Sequence, residues 1–475
     1  MSKRQRTILF GTFLFLFLAS ILPILLYTRG YRVDFEALKL VETGGIDLNI
    51  ITADAKVYLD GELKRETSFV FKNAVFRNIL PRDYDAVVEK TGYKSWHKKI
   101  PVMAGQVNKF LDIRLFPEEM MPAIVAEHVQ EVFPSPDLKF ALVQSESNIS
   151  EGTVAQKGIQ LLLSDNKRET IRPILSQASG ESIKEILWSW NSDIFFIFGQ
   201  SATGDFAYSG SVRNPQELTS WSSFLKNNFP VAYLEANIRI PANSTETLYI
   251  MRRNADSTFS FNKINLGERT ITTDILKDIM AYQINNNDIF YISKEGVIYS
   301  ANIENGESTQ LSPTAVSRVS ADAKLIVRDD KLAVMVINRG ELFLWETEKP
   351  LIKVEQNVLG AVFSPDKEKF LYWDNEQVNI YWTEEVFGPP LRAIGDKEVI
   401  SGYSQIKNVG WTGDSASYVV LQIPDKIVFA ELDSRDRRNI AEYQVQASSK
   451  IFGVDRSVRK ILTMIDGNMV YLHYN

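Results

Sequence analysis

From Thr7 to Thr28 the chain reads TILFGTFLFLFLASILPILLYT, with no charge anywhere in the run. A helix over this stretch is long enough to cross roughly 30 Å of hydrocarbon, and Pro23 within it kinks such a helix without breaking it. Beyond Arg29 the pattern changes to short stretches in which apolar and polar positions alternate, the period of a half-buried strand. In KVYLDGEL, Asp60-Gly61 separates two such stretches, and the positive φ that this pair tolerates predicts a hairpin. YDAVVEK and WHKKIPV form a second pair around Thr91-Gly92, and KFLDIRLF alternates as a last strand before FPEEMMP.

C-terminal to that linker the alternation itself repeats. VFPSPDLKFALVQ at Val132, VFSPDKEKFLYW at Val362 and VGWTGDSASYVVLQ at Val409 share an apolar strand, a Ser/Thr turn with Asp, and a second strand. Weaker copies start at Ile186, Met280, Val316 and Ile451, with a degenerate unit in VAYLEANIRIPANSTETLYIM. Phe133, Trp188, Ile238, Tyr282, Val319, Phe363, Trp411 and Phe452 serve as landmarks, spaced near the ~40–45 residues of a four-stranded propeller blade. A third strand follows in GIQLLLSD, GVIYSANI, GELFLWET, QVNIYWTE, KIVFAELD and NMVYLHYN. The last copy ends there, so PAIVAEHV near Pro122 is the expected fourth strand, closing a ring of sheets and hiding its edges.

Two resemblances follow from these residues. TADAKVYLDGEL, ILPRDYDAVVEKTGYKSW and IPV resemble a PEGA domain, a small extracytoplasmic β-sandwich of bacterial surface proteins. The match departs from the family at Thr52-Ala53-Asp54-Ala55, Thr67-Ser68 and Pro81-Arg82, although Asp54 tolerates the left-handed turn position where glycine is usual. The Ser-Pro-Asp units, clearest at Ser364-Pro365-Asp366, resemble TolB-like and WD40-like propellers, with Leu138 and Lys367 where glycine is customary. The expected fold is all-β behind a transmembrane helix. Its parts are a tail (1–6), the span (7–28), a linker (29–42), a PEGA-like sandwich (43–117), a short linker (118–121) and a propeller (122–475) of eight blades, with seven as the alternative count.

Charge refines the picture. Residues 1–42 hold six basic and three acidic side chains and residues 43–117 hold twelve and nine, so each piece is +3. The remainder carries 35 basic against 47 acidic, a net of −12, which excludes nucleic acid as an electrostatic partner. Lys3, Arg4 and Arg6 before the span, against Arg29 and Arg32 after it, favour a cytoplasmic N-terminus and an extracytoplasmic bulk, hence a single-pass cell-membrane protein whose residues 7–28 contact the bilayer. A cleaved signal peptide shares this pattern, but the run is longer than the usual h-region and lacks a clean Ala-x-Ala site. With no cysteine, disulfides and thiolate chemistry are excluded.

Candidate chemistry is sparse. His97, His128 and His473 show no metal-pair spacing, and neither a nucleophile elbow nor a phosphate-binding glycine loop is present. GQSATG at Gly199 and NNND at Asn285 read as an insertion and a turn, Asp329-Asp330 and Glu384-Glu385 as solvated pairs, and Trp188, Trp190 and Trp411 as packing residues. No catalytic residue, metal or cofactor is expected. Lys90, Lys94, Lys98 and Lys99 in KTGYKSWHKKIPV have two readings, the solvated face of a turn and strand packed through Tyr93 and Trp96, or a contact with anionic envelope polymer. The functional expectation is a non-catalytic, membrane-anchored scaffold whose propeller face binds an extracytoplasmic protein or envelope polysaccharide. The alternative is a surface glycoside hydrolase or polysaccharide lyase.

Overall fold

The computed structural model describes the chain apart from residues 1–2, 36–37, 69–70, 152–153, 169, 178–181, 202–203, 225–236, 242, 286, 329, 388–389, 414–415, 446–449, 456–459 and 475. Asp329, Asn286, the centre of GQSATG and the start of the degenerate repeat at 231–236 thus lie outside the described residues. Helix α1 spans Lys3–Thr28 around Pro23. Its apolar side chains are exposed, and its length and hydropathy suit a membrane crossing, a property that signal sequences share.

A hairpin of β1 (Tyr31–Asp34) and β2 (Lys39–Glu42) follows where the sequence predicts only a linker. Next come β3 (Gly44–Ile50), β4 (Lys56–Leu59), β5 (Glu62–Glu66), β6 (Asn73–Ile79), β7 (Asp83–Glu89), β8 (Trp96–Pro101) and β9 (Val107–Ile113). They make a three-stranded sheet in the order β6-β3-β9, with β3 and β9 parallel, and a four-stranded sheet in the order β5-β4-β7-β8. Ile46 and Leu48 of one sheet share a buried core with Val57, Val88, Trp96 and Ile100 of the other. Burial along β7 and β8 alternates as the pleat requires. The turn residues take the backbone that their chemistry predicts: Asp54, Asp60, Gly61 and Gly92 lie at φ 57°, 52°, 79° and 79°.

The remaining strands build antiparallel up-and-down sheets in chain order. The first comprises Val129–Pro134, Phe140–Glu151, Val154–Asp165 and Thr170–Gln177, and the second Ser182–Trp188, Ile194–Ser201, Gly204–Ser211 and Thr219–Ser220. A seven-stranded sheet runs from Asn237–Pro241 to Ser308–Gln310. Its long strand Thr270–Asn285 pairs first with Phe259–Asn265 and then with Asp288–Ser293, and so belongs to two halves. Three four-stranded sheets follow, starting at Lys324–Val327, Gly360–Phe363 and Asn408–Trp411. In the last sheet Pro122–Ala126 pairs with Asn468–His473 as the outer strand, so the two ends of the region are joined by a ladder.

Buried apolar clusters weld each sheet to the next. Leu142 and Leu163 meet Phe195 and Ile197 between the first two sheets, and Val334 and Trp345 meet Ile292 and Ile298 further round. Leu462 and Tyr471 of the last sheet pack on Val132 and Val143 of the first. This order, closed on itself, is that of a β-propeller.

The repeated turn explains itself chemically. Ser135, Ser189 and Ser364 each accept the N–H of the residue five on, Phe140 at 3.1 Å, Ile194 at 2.9 Å and Lys369 at 3.2 Å. Each also donates to Asp137, Asn191 or Asp366, two residues on. The next residue then turns left-handed: Leu138, Ser192 and Lys367 sit at φ 60°, 63° and 67°. One repeat needs correction. In VSRVSADAKLIV the strand is Lys324–Val327, and its turn lies at Arg328, whose N–H reaches Ala333 O at 2.9 Å with Lys331 at φ 65°. Ser320 and Asp322 precede that strand, so Val319 is out of phase with the other landmarks. The three tryptophans pack as expected, Trp411 almost fully buried and Trp188 holding Phe133 O through Nε1 at 3.0 Å.

Candidate functional site

The strongest concentration of buried charge among the described residues lies where the small β unit meets the propeller. The propeller contributes the end of Lys426–Glu431 and the loop from Leu432 to Asn439 that leads into Ile440–Gln444. The small unit contributes β8 and β9. Both are edge strands of their sheets, with unpaired backbone groups facing outward.

Alternation along β8 puts Trp96, Lys98 and Ile100 on one face, and all three are buried. Lys98 is therefore a lysine at a core position. Its Nζ donates to the carbonyls of Asp433 at 2.7 Å, Arg435 at 3.0 Å and Arg437 at 2.7 Å, which uses all three ammonium protons. Glu431 Oε2 at 3.2 Å and Asp433 Oδ1 at 3.7 Å supply the counter-charge. Glu431 in turn accepts from Trp96 Nε1 at 3.0 Å and from Asn439 Nδ2 at 2.8 Å. Lys98 Nζ and both Glu431 oxygens are thus hydrogen-bonded, the condition under which a buried ion pair is tolerated.

Side chains of the propeller loop also cover the open edges. The N–H groups of His97 and Lys99 donate to Asn439 Oδ1 at 3.0 Å and Asp436 Oδ2 at 2.9 Å. Arg435 donates to Lys109 O on β9 at 2.6 Å, stacks 3.8 Å from the Phe110 ring centroid and is held by Asp433. Arg437 lies 2.6 Å from His97 Nδ1, and His97 Nε2 meets Asp85. An arginine only donates, so Nδ1 is the acceptor and the proton sits on Nε2, facing the carboxylate.

The apolar part of the interface is Phe116, which leaves the small unit to pack between Tyr418, Phe429 and Tyr474, with ring centroids 5.3, 4.6 and 6.5 Å away. Tyr443 hydrogen-bonds to Pro117 O, and the Tyr418 hydroxyl accepts from Arg114 N at 3.3 Å. Burial pushes the Tyr418 and Tyr443 hydroxyls well above the ordinary tyrosine range. Burial also opposes the Asp433 charge, but hydrogen bonding and charge from Arg435, with the Lys98 charge, outweigh it and leave Asp433 below the ordinary aspartate range.

The four lysines singled out in the sequence thus separate. Lys98 is wholly buried and occupied, so the expected contact of this residue with an external polymer is corrected: it holds the propeller. Lys90 reaches Ala53 O at 3.0 Å and lies beside the Tyr93 ring, Lys94 lies 5.1 Å from the Tyr443 ring centroid, and Lys99 pairs with Asp83 at 3.1 Å. Sequence reasoning missed the partner loop DSRDRRN, Asp433 to Asn439, altogether. The one available signal was the alternation Trp96, Lys98, Ile100.

The loops that meet the small unit all leave one end of their sheet. Ser417, which donates to Asp112 at 3.2 Å, lies between the first and second strands, and Asp433 to Asn439 between the third and fourth. In an up-and-down sheet those two connections share an end. The second-to-third turns, such as Asn338–Glu341 in the sheet starting at Lys324, emerge at the other. There Lys294 bridges to Asp256 of a neighbouring turn at 2.7 Å.

No family model matches the sequence, and no curated protein matches it. Among solved structures, it overlaps a chain of a mitotic checkpoint complex over 76% of its own length and 94% of the other, at 9% identity and a TM-score of 0.38. A eukaryotic initiation factor chain overlaps 76% of it and 91% of the other, at 11% identity and a TM-score of 0.44. Hsv2 of Kluyveromyces lactis overlaps 68% and 100%, at 11% identity and a TM-score of 0.39. The propeller assignment rests on the strand order and inter-sheet packing of the chain itself, not on these loose overlaps.

Proposed function

We propose that this chain is a membrane-anchored, non-catalytic scaffold in which α1 is an uncleaved span, the small unit is a PEGA-like spacer, and an eight-bladed propeller presents one face to an extracytoplasmic protein. The observation that carries the reading is the buried Lys98 clasp, which fastens spacer to propeller and occupies the end of the sheet that bears Asp433 to Asn439. The opposite end, with the second-to-third turns, is the presenting face. The count of eight is supported by dividing the seven-stranded sheet at Thr270–Asn285 and by the apolar cluster between its halves, where Tyr249 and Phe261 meet Ile289 and Tyr291. Any contact of the spacer with anionic envelope polymer falls to Lys90, Lys94 and Lys99.

The test places a photo-crosslinking residue at Arg339 or Glu376 on the presenting face, and at Lys90 or Lys99 on the spacer, of the full-length protein in its own cells. Reproducible protein adducts at Arg339 or Glu376 support the reading. Adducts confined to the lysine positions would overturn it and make the spacer the binding element.

A further inference from the structure

The two-stranded hairpin after α1 carries apolar side chains into solvent. Its register pairs Val33 with Leu40, so these side chains share a face, and both are about half exposed, at 49% and 46%. At the tip Phe35 and Leu38 are 82% and 83% exposed. Among the described residues no third strand joins the ribbon. An isolated two-stranded ribbon is marginal in water, and four exposed apolar side chains on it call for a covering surface.

The covering surface is indicated by what holds the ribbon's base. Thr43 N donates to Gly30 O at 3.0 Å, closing the hairpin immediately after the helix, whose last turn continues through Arg29 N to Leu25 O at 3.1 Å. Arg32 of β1 folds back on the helix: its guanidinium donates to Tyr27 O at 3.0 Å and stacks 3.6 Å from the Tyr27 ring centroid. Tyrosine and arginine side chains arranged in this way at the end of an apolar helix suit the headgroup layer, where an aromatic ring and a solvated cation are both accommodated. A ribbon fastened at that level lies beside the lipid surface when the helix spans the bilayer.

We infer that the hairpin Tyr31–Glu42 is a second, interfacial membrane contact, with Val33, Phe35, Leu38 and Leu40 entering the boundary between headgroups and acyl chains beside the span. This rests on the reading of α1 as an uncleaved anchor. The apolar faces of interfacial helices enter this boundary to a depth of about 5–10 Å, and the ribbon's side chains are expected at a like depth. With helix and ribbon both engaged, the small unit is held against the lipid surface instead of swinging on a single tether.

The absence of cysteine makes the test direct, because any single cysteine added to the full chain is a unique labelling site. Phe35→Cys, Leu38→Cys, Leu16→Cys within α1 and Glu376→Cys on the presenting face each receive an environment-sensitive fluorophore. The labelled proteins are placed in vesicles of phosphatidylcholine and phosphatidylglycerol that carry nitroxide either at the headgroup or deep in the acyl chain. The expected result is a blue shift at positions 35 and 38 with loss of emission chiefly to the headgroup nitroxide, loss to the deep nitroxide at position 16, and neither at position 376. Quenching at 16 with aqueous emission at 35 and 38 overturns the interfacial contact and leaves the anchor standing. A blue shift at 35 and 38 that no lipid nitroxide quenches overturns it in favour of a protein cover, such as a second copy of the chain. An unquenched label at 16 removes the anchor reading itself.

Discussion

Lys98 Nζ of the small β unit lies 3.2 Å from Glu431 Oε2 of the propeller, with the side chains 0% and 6% exposed. The pair is buried, hydrogen-bonded on every side and shared between two folded units. Its energetics therefore report on the joint rather than on either core.

Lys98→Met is expected to destabilise the joint by about 3–5 kcal/mol, because Glu431 is left buried without its cation, three carbonyls lose their donor and Asp433 keeps only Arg435. Thermal unfolding of the detergent-solubilised chain checks this, and adding Glu431→Gln recovers part of the loss. A Lys98→Met protein that melts with the parent would show the clasp to be dispensable.

Phe116→Ala removes the ring that fills the space between Tyr418, Phe429 and Tyr474. The expected cost is about 3–5 kcal/mol, the range for emptying a buried phenylalanine site. Limited proteolysis should then cut near residues 117–121 faster than in the parent, and unchanged proteolysis would contradict the role given to this ring.

The contributions of Asp433, Tyr418 and Tyr443 to the joint should be complete between about pH 4 and pH 10. Asp433 is held below the ordinary range, so its contribution is complete above the unfolded value of about 4 and is lost as pH falls through its lower folded value. Tyr418 and Tyr443 are pushed up, so the folded protein keeps protons that the unfolded chain begins to release near pH 10, and their contribution is lost above it. Amide exchange at His97 and Lys99, corrected for intrinsic rates, reads the joint. Protection of these amides that stays unchanged well above pH 10 would contradict the role given to the two tyrosines.

Leu138 and Lys367 occupy left-handed positions at φ 60° and 67°. Leu138→Gly and Lys367→Gly should each raise stability by up to about 1 kcal/mol, since relief of the left-handed penalty exceeds the entropy that glycine loses on folding. Denaturant unfolding checks the sign, and a clear loss at both sites would show that their side chains contribute more than the backbone penalty costs.

Much of this architecture is written in local chemistry. Asp60-Gly61 specifies its own turn, Ser364 and Asp366 specify another, and the strand ending at His473 calls for an outer partner that Pro122–Ala126 provides. Reading failed where a turn motif was present without the strand it normally follows: Ser320-Ala321-Asp322 imitates the repeat, whereas Arg328 does the equivalent work with a side chain unlike serine.

Periodicity and punctuation are legible in the amino-acid order alone: an uncharged span, a small β unit, a series of repeated antiparallel sheets. Those properties depend on neighbours along the chain, and the residues that encode them are adjacent in it. That Lys98 is a buried joint and not a surface charge emerges only on folding. Its counter-charge on Glu431 and its acceptor carbonyls at Asp433, Arg435 and Arg437 come from the far end of the chain. A lysine's place in or out of water is set by whether such partners arrive, and that is a property of the assembled fold.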